Sequence, residues 1–204
     1  MDKLKVETLT LRLWLYRLGW RLKFRFFREK IPKNIDGKVY LNLGSGANTS
    51  PEFINVDAFP FRKTHWVLDI QHLSIFPNNS VDMIYASHVL EHIPRNNLLE
   101  TLNEWCRVLK IGGILRFGVP DFDKLIDFYN ASGKETESII NQLLGQDRDF
   151  DRHCTIWNLN YAKRILKQAG FSGELRLWNV ETAAHHGFHD KSNRDISLNL
   201  EVVK

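Results

Sequence analysis

The stretch that decides the reading runs from Leu41 to Asp57, LNLGSGANTSPEFINVD. It joins two apolar runs, KVYLNL at 38–43 and FINV at 53–56, through Gly44-Ser45-Gly46. Both runs have the length and composition of buried strands. Glycine lets a chain leave a strand in a tight turn and lets a ligand come close to the main chain. Asp57 then closes the second strand. In a doubly wound sheet, ligands bind beyond the carboxyl ends of the strands, where the strand order reverses. The glycine turn and Asp57 both fall at such ends.

The pattern continues in both directions. His65–Leu68 reads as a third strand and ends at Asp69 with Ile70 beside it. Val81–Ala86 (VDMIYA) is a fourth strand. Asn96–Leu109 has helical periodicity, with Leu98, Leu99, Leu102, Trp105, Cys106 and Leu109 on one face, and Gly112-Gly113 is expected to stop it. Ile114–Val119 is a fifth strand, 160–169 a helix closed by Gly170, and Leu175–Val180 and Ile196–Val202 two final strands. Strands alternating with helices imply a largely parallel sheet covered on both faces.

Two acids at successive strand ends point to a nucleoside. Asp57 can accept both hydroxyls of a ribose, and Asp69 can accept from an exocyclic amine while Ile70 packs the ring face. A phosphate fits poorly: the loop has no Gly-x-x-x-x-Gly-Lys, no third glycine, and no Lys or Arg between Gly44 and Phe61. The alternative is that each Asp caps a turn.

LNLGSG, INVD, WVLDIQHLSIFPNNSVDMIYASHVLEHI and EWCRVLKIGGILRFGVPD together resemble the successive motifs of class I S-adenosylmethionine-dependent methyltransferases, type 11. The resemblance spans about residues 38–120. It implies an α/β, doubly wound, Rossmann-like mixed seven-stranded sheet with the last strand antiparallel, and S-adenosylmethionine as cofactor. By the same resemblance Leu43, Gly44, Ser45 and Gly46 border the methionine part, and Asp57 and Ala58 lie at the ribose. Asp69 and Ile70 meet the adenine, and Ser87 and His88 lie beside the sulfonium. One departure stands out. Only ten residues separate Gly46 from Asp57, and they include Pro51. The helix that most of the family carries there has room for one or two turns at most. A shortened form of this kind resembles a subgroup linked to bacterial surface-polysaccharide biosynthesis.

For the chemistry, a sugar hydroxyl would gain from a base. His88 and His92, four apart, would share a face of a helix after the fourth strand. Asp121 directly follows the fifth strand, where an acid could meet a substrate, and joins His88 and His92 as a candidate catalytic group; 121–152 reads as an insertion on the substrate side. His153, His185, His186 and His189 are candidate substrate contacts. The HHGFHD run also has the composition of a metal site, but no metal ligand is assigned because a loop containing Gly187 can equally stand in solvent.

Residues 1–33 form a separate basic, amphipathic leader, with the domain at 34–204. Within 1–30 there are nine Lys/Arg against three Asp/Glu, so the net charge of +4 belongs to the leader and the domain is mildly acidic. Nucleic acid is therefore not the expected partner. As a helix the leader would align Arg17, Arg21, Arg25 and Arg28, and residues 10–30 could lie in a membrane interface or pack on the domain or a second subunit. No apolar run reaches the roughly 20 residues that span a bilayer. Two cysteines and no cleavable signal fit a cytoplasmic protein, peripheral on the inner membrane face if the leader anchors it. The expected activity is O-methylation of a glycan or glycolipid precursor. The alternatives are a small-molecule or RNA methyltransferase, or a non-catalytic cofactor-binding module.

Overall fold

The computed structural model describes residues 37–146, 151–179, 188, 190 and 194–204. The leader and His185, His186 and His189 lie outside the described residues, so the expectations placed on them are not addressed by it. The described chain forms one seven-stranded sheet in the order β3-β2-β1-β4-β5-β7-β6. The strands are β1 (Tyr40–Leu43), β2 (Ile54–Asp57), β3 (Trp66–Val67), β4 (Val81–Ser87), β5 (Leu109–Pro120), β6 (Arg176–Leu177) and β7 (Ser197–Val203). The first five pair in parallel, and β7 runs antiparallel to both β5 and β6. The order reverses between β1 and β4, which sets the crevice.

The helices are α1 (Leu98–Val108), α2 (Phe122–Ala131), α3 (Ile140–Leu144) and α4 (Leu159–Gln168). Strand alternation supplies two apolar faces. On β4, Ile84 and Ala86 join the larger core with Trp105 of α1 and Leu166 of α4. Met83 and Tyr85 face the other way, into an aromatic cluster with Phe53, Trp178 and Phe188. Tyr85 stacks on Phe188 at 4.3 Å between ring centroids. Burial on both faces is what makes a central parallel strand read as an unbroken apolar run.

Several expectations are corrected. Gly112-Gly113 does not stop a helix. The helix ends at Val108, Leu109 is already extended, and β5 begins there. Gly112, at φ +78°, instead lies within β5 near a register shift between Val81 and Met83. Residues 121–152 carry α2 and α3 where no element was assigned. Between β1 and β2 there are turns and no helix, as the spacing required. Among the described residues no helix is long and apolar enough to cross a membrane.

Candidate functional site

The glycine loop is held by side chains where a helix would otherwise hold it. Asn42, buried in β1, donates to the Asn48 carbonyl at 2.9 Å and to Asn55 Oδ1 on β2 at 3.0 Å. The Ser45 amide donates to the Val56 carbonyl, and the Gly46 amide to Asp57 Oδ2 at 2.8 Å. The two glycines serve different ends. Gly44, at φ +65°, has no room for a side chain, since a Cβ would sit 2.5 Å from Val89 Cγ2. Gly46, at φ +50°, faces open space within which a ligand can reach its backbone.

Asp57 closes β2 with 8% of its surface exposed. Its Oδ1 accepts from the Phe59 amide at 2.8 Å and its Oδ2 from Gly46. A carboxylate has about four acceptor positions, so each oxygen keeps one for a ribose hydroxyl. Burial raises its pKa above the ordinary Asp value, opposed by the amides of Phe59, Gly46 and Ala58. Asp69 is different. It is exposed, its Oδ1 accepts from the Gln71 amide at 3.0 Å, and its Oδ2 lies 3.3 Å from His72 Nδ1. That is a capped turn, and it leaves Asp69 open to a ligand from solvent. Ile70 packs on the main core, and its carbonyl accepts from Trp105 Nε1 at 2.8 Å.

The residues present fit a nucleoside-bearing cofactor on one further observation. Ser45 Oγ and Ser87 Oγ are buried with no hydrogen-bond partner among the described residues. They follow β1 and end β4, the two strands that flank the reversal of order. Buried hydroxyls are nearly always paired, so two orphans at one crevice mark places for ligand atoms.

Beyond β4 the polar groups change character. His88, at φ +53°, is almost fully buried. Its Nδ1 meets Glu91 Oε1 at 3.0 Å and its Nε2 meets Ser197 Oγ at 2.8 Å. Glu91 is itself buried, and its Oε2 has no partner among the described residues. Burial would raise its pKa, but the hydrogen bond and charge of His88, with the charge of His92, hold it below the ordinary carboxylate value. His88 and His92 do not share a helix face. Only Leu90–His92 is helical, as a single 3-10 turn, and His92 turns toward 151–153 instead. His92 Nδ1 lies 3.1 Å from the Arg152 carbonyl, and its ring meets that of His153 edge-on at 4.9 Å.

Asp121 follows β5 as expected, but its carboxylate caps α2, with Oδ1 3.1 Å from the Asp123 amide. Burial raises its pKa, mainly against that amide. His153 lies in the irregular segment ahead of α4, which begins at Leu159. It lines a polar cavity of about 90 Å³ with His88, Gln142, Asp151 and Arg194. Asn42, Asp151 and Ser197 are site residues that sequence reasoning missed. Only Asn42 left a signal, as a polar residue inside an apolar strand.

Residues 43–117 match the family described as Methyltransferase domain. Three solved structures have the same architecture. One is a SAM-dependent methyltransferase from Archaeoglobus fulgidus, at 15% identity and TM-score 0.52, with all of both chains covered. A second, a possible histamine N-methyltransferase from Thermotoga maritima, aligns at 14% identity and TM-score 0.53 over 95% of this chain and 97% of its own. The third is 1,6-didemethyltoxoflavin-N1-methyltransferase from Burkholderia thailandensis, solved with bound 1,6-didemethyltoxoflavin and S-adenosylhomocysteine. It aligns at 13% identity and TM-score 0.53, over 81% of this chain and 70% of its own. No curated protein matches the chain. The fold is that of class I S-adenosylmethionine-dependent methyltransferases. The matched domain runs from the end of β1 into β5 and so contains the glycine loop, Asp57, Asp69 and Ser87. It supports S-adenosylmethionine as the cofactor of this methyltransferase fold.

Proposed function

We propose that the chain transfers a methyl group from S-adenosylmethionine to a hydroxyl of a glycan or glycolipid precursor. The observation that carries the cofactor half is the pair of orphaned hydroxyls, Ser45 and Ser87, beside a buried Asp57. In this reading Leu43 and Gly44–Gly46 border the methionine part. Asp57, with Ala58, takes the ribose hydroxyls, and Asp69 with Ile70 takes the adenine. The acceptor half is supported by the polar cavity beyond β4 and β5, whose amide, imidazole and carboxylate groups suit a polyhydroxylated acceptor.

The bound cofactor supplies an activated methyl on a sulfonium. The chain aligns the acceptor hydroxyl and removes its proton. His88 is the base: the Glu91 carboxylate accepts from Nδ1–H and leaves Nε2 as the acceptor nitrogen. Ser197 Oγ, 2.8 Å from Nε2, stands where an acceptor hydroxyl would enter the chain of hydrogen bonds. With S-adenosylmethionine bound as methyl donor and S-adenosylhomocysteine as the product, His88 would take up the proton that the acceptor hydroxyl gives up. His153 then contacts the acceptor, and Asp121 positions α2 without touching it.

The leader, in the same proposal, holds the enzyme at a membrane surface where lipid-linked glycans are built. The test is a turnover screen for S-adenosylhomocysteine against nucleotide sugars, lipid-linked glycans and tRNA. Turnover on the glycans alone is expected, and turnover on tRNA alone would replace the acceptor. Loss of turnover in His88→Gln with cofactor affinity kept is the expected mark of the base. Flotation with anionic liposomes should need residues 10–30, and equal flotation of a chain starting at Asn34 would remove the membrane role.

A further inference from the structure

Three potential metal ligands converge beyond β4, and the sequence reading assigned none of them to a metal. One ligand atom each from Glu91, His92 and His153 lies within 4.8 Å of the other two. The backbone prepares both imidazoles. His92 Nδ1 faces the Arg152 carbonyl at 3.1 Å, and His153 Nδ1 faces the Gln142 carbonyl at 2.8 Å. A carbonyl only accepts, so each Nδ1 carries a proton, and Nε2 is the ring nitrogen that a metal ion would take. That is the outer-shell arrangement that fixes histidines as metal ligands. Glu91 is turned in the same way. His88 holds Oε1 at 3.0 Å, and Oε2, buried, has no partner among the described residues.

A fourth group lies beside His92. Asp151 Oδ1 lies 3.7 Å from His92 Nε2. With His92 neutral and its proton on Nδ1, a lone pair and a carboxylate oxygen face each other, and both can bind one cation placed between them. A distance of 3.7 Å is long for a shared proton. It is close to the edge of a four-coordinate site, where bonds of about 2.0–2.2 Å put ligand atoms about 3.4 Å apart. The other ligands, within 4.8 Å of one another, would close by up to about 1.4 Å on binding.

We infer that Glu91, His92, His153 and Asp151 form a site for a divalent transition-metal ion of the zinc class. Imidazole and carboxylate ligands suit that ion. Asp151 and His153 also line the polar cavity, so the ion would face the place where an acceptor binds. The inference does not depend on methyl transfer and can stand if the acceptor proposal fails.

The test is calorimetric titration of the full chain, stripped with chelator, with Zn2+. One ion per chain is expected. His92→Ala and His153→Ala should each weaken binding at least tenfold, and the triple variant His185→Ala/His186→Ala/His189→Ala should leave it unchanged. Co2+ in place of Zn2+ should give the intense visible bands of a four-coordinate ion, and these should be lost in Asp151→Asn. Should a histidine variant fail to fold, the wild type remains decisive: saturating Zn2+ should raise its thermal midpoint. No saturable uptake, uptake unmoved by both histidine changes, or uptake lost in the triple variant would overturn the site. A proton held between His92 and Asp151 is the reading that the first of these results would favour.

Discussion

The two halves of the sheet's carboxyl edge hold their acids by opposite means. On the β1–β2–β3 side, Asp57 is gripped by backbone amides and Asp69 by the Gln71 amide. On the β4–β5 side, Glu91 sits among imidazoles. Both Asp57 and Glu91 are buried, yet burial wins at Asp57, whose pKa rises, and loses at Glu91, whose pKa falls. Amides are fixed dipoles, whereas imidazoles can carry charge, and charge offsets desolvation where dipoles only reduce it. The first half is built to present acceptors to neutral hydroxyls. The second is built around groups that take up a proton or a cation.

Removing Glu91 should break the comparison most severely. Glu91→Ala strips the buried His88 of its Nδ1 partner and should cost about 3–5 kcal/mol of stability in urea unfolding. Glu91→Gln, which keeps an acceptor, should cost less. Asp57→Ala should act on the other half alone. It deletes two hydrogen bonds from a charged acceptor and should weaken S-adenosylmethionine binding by about 3 kcal/mol or more, roughly a hundredfold by calorimetry. Unchanged affinity would remove Asp57 from the cofactor site.

Gly44→Ala comes next. It forces a left-handed backbone and a contact on Val89, and should lower stability by about 1–3 kcal/mol. Adding Val89→Ala should recover only the steric part. The smallest effect is the pH dependence, and it has opposite signs in the two halves. Glu91, with its pKa lowered on folding, gives stability that is present above its unfolded value and is lost as pH falls through the folded one. Asp57, with its pKa raised, favours the fold below its unfolded value, and that contribution is lost as pH rises through the folded one. Cofactor affinity needs ionised Asp57, so it should begin to fall on acidification at a higher pH than an ordinary Asp would give. Acid unfolding of Glu91→Gln and Asp57→Asn, run beside the wild type, would separate the two signs.

Much of the first half could be read in the chain itself. Its strands, its glycine turn and both acids lie within thirty residues, and the short gap from Gly46 to Asp57 already excluded a full helix. The second half was less legible because its contacts join distant segments. His88 meets Ser197 across 109 residues, and His92 meets the Arg152 carbonyl across 60. Neither leaves a periodic signal. His88 and His92 invited a helical reading by their spacing, but the left-handed backbone at His88 turns them apart. At Gly112-Gly113, composition marked a break, and the irregularity falls inside β5, where Gly112 keeps a left-handed backbone beside the register shift between Val81 and Met83.

The missing helix between β1 and β2 bears on how the chain folds. Asn42 meets Asn55 across a loop of only 13 residues, whereas Arg116 of β5 meets Glu201 of β7 across 85. Closing a loop costs entropy that grows with its length, and distant pairings slow folding. The β1–β2 half should therefore gain its order first and serve as the template on which β7 closes. In pulse-labelled hydrogen exchange, the amides of Leu41–Asp57 should be protected before those of Ser197–Val203.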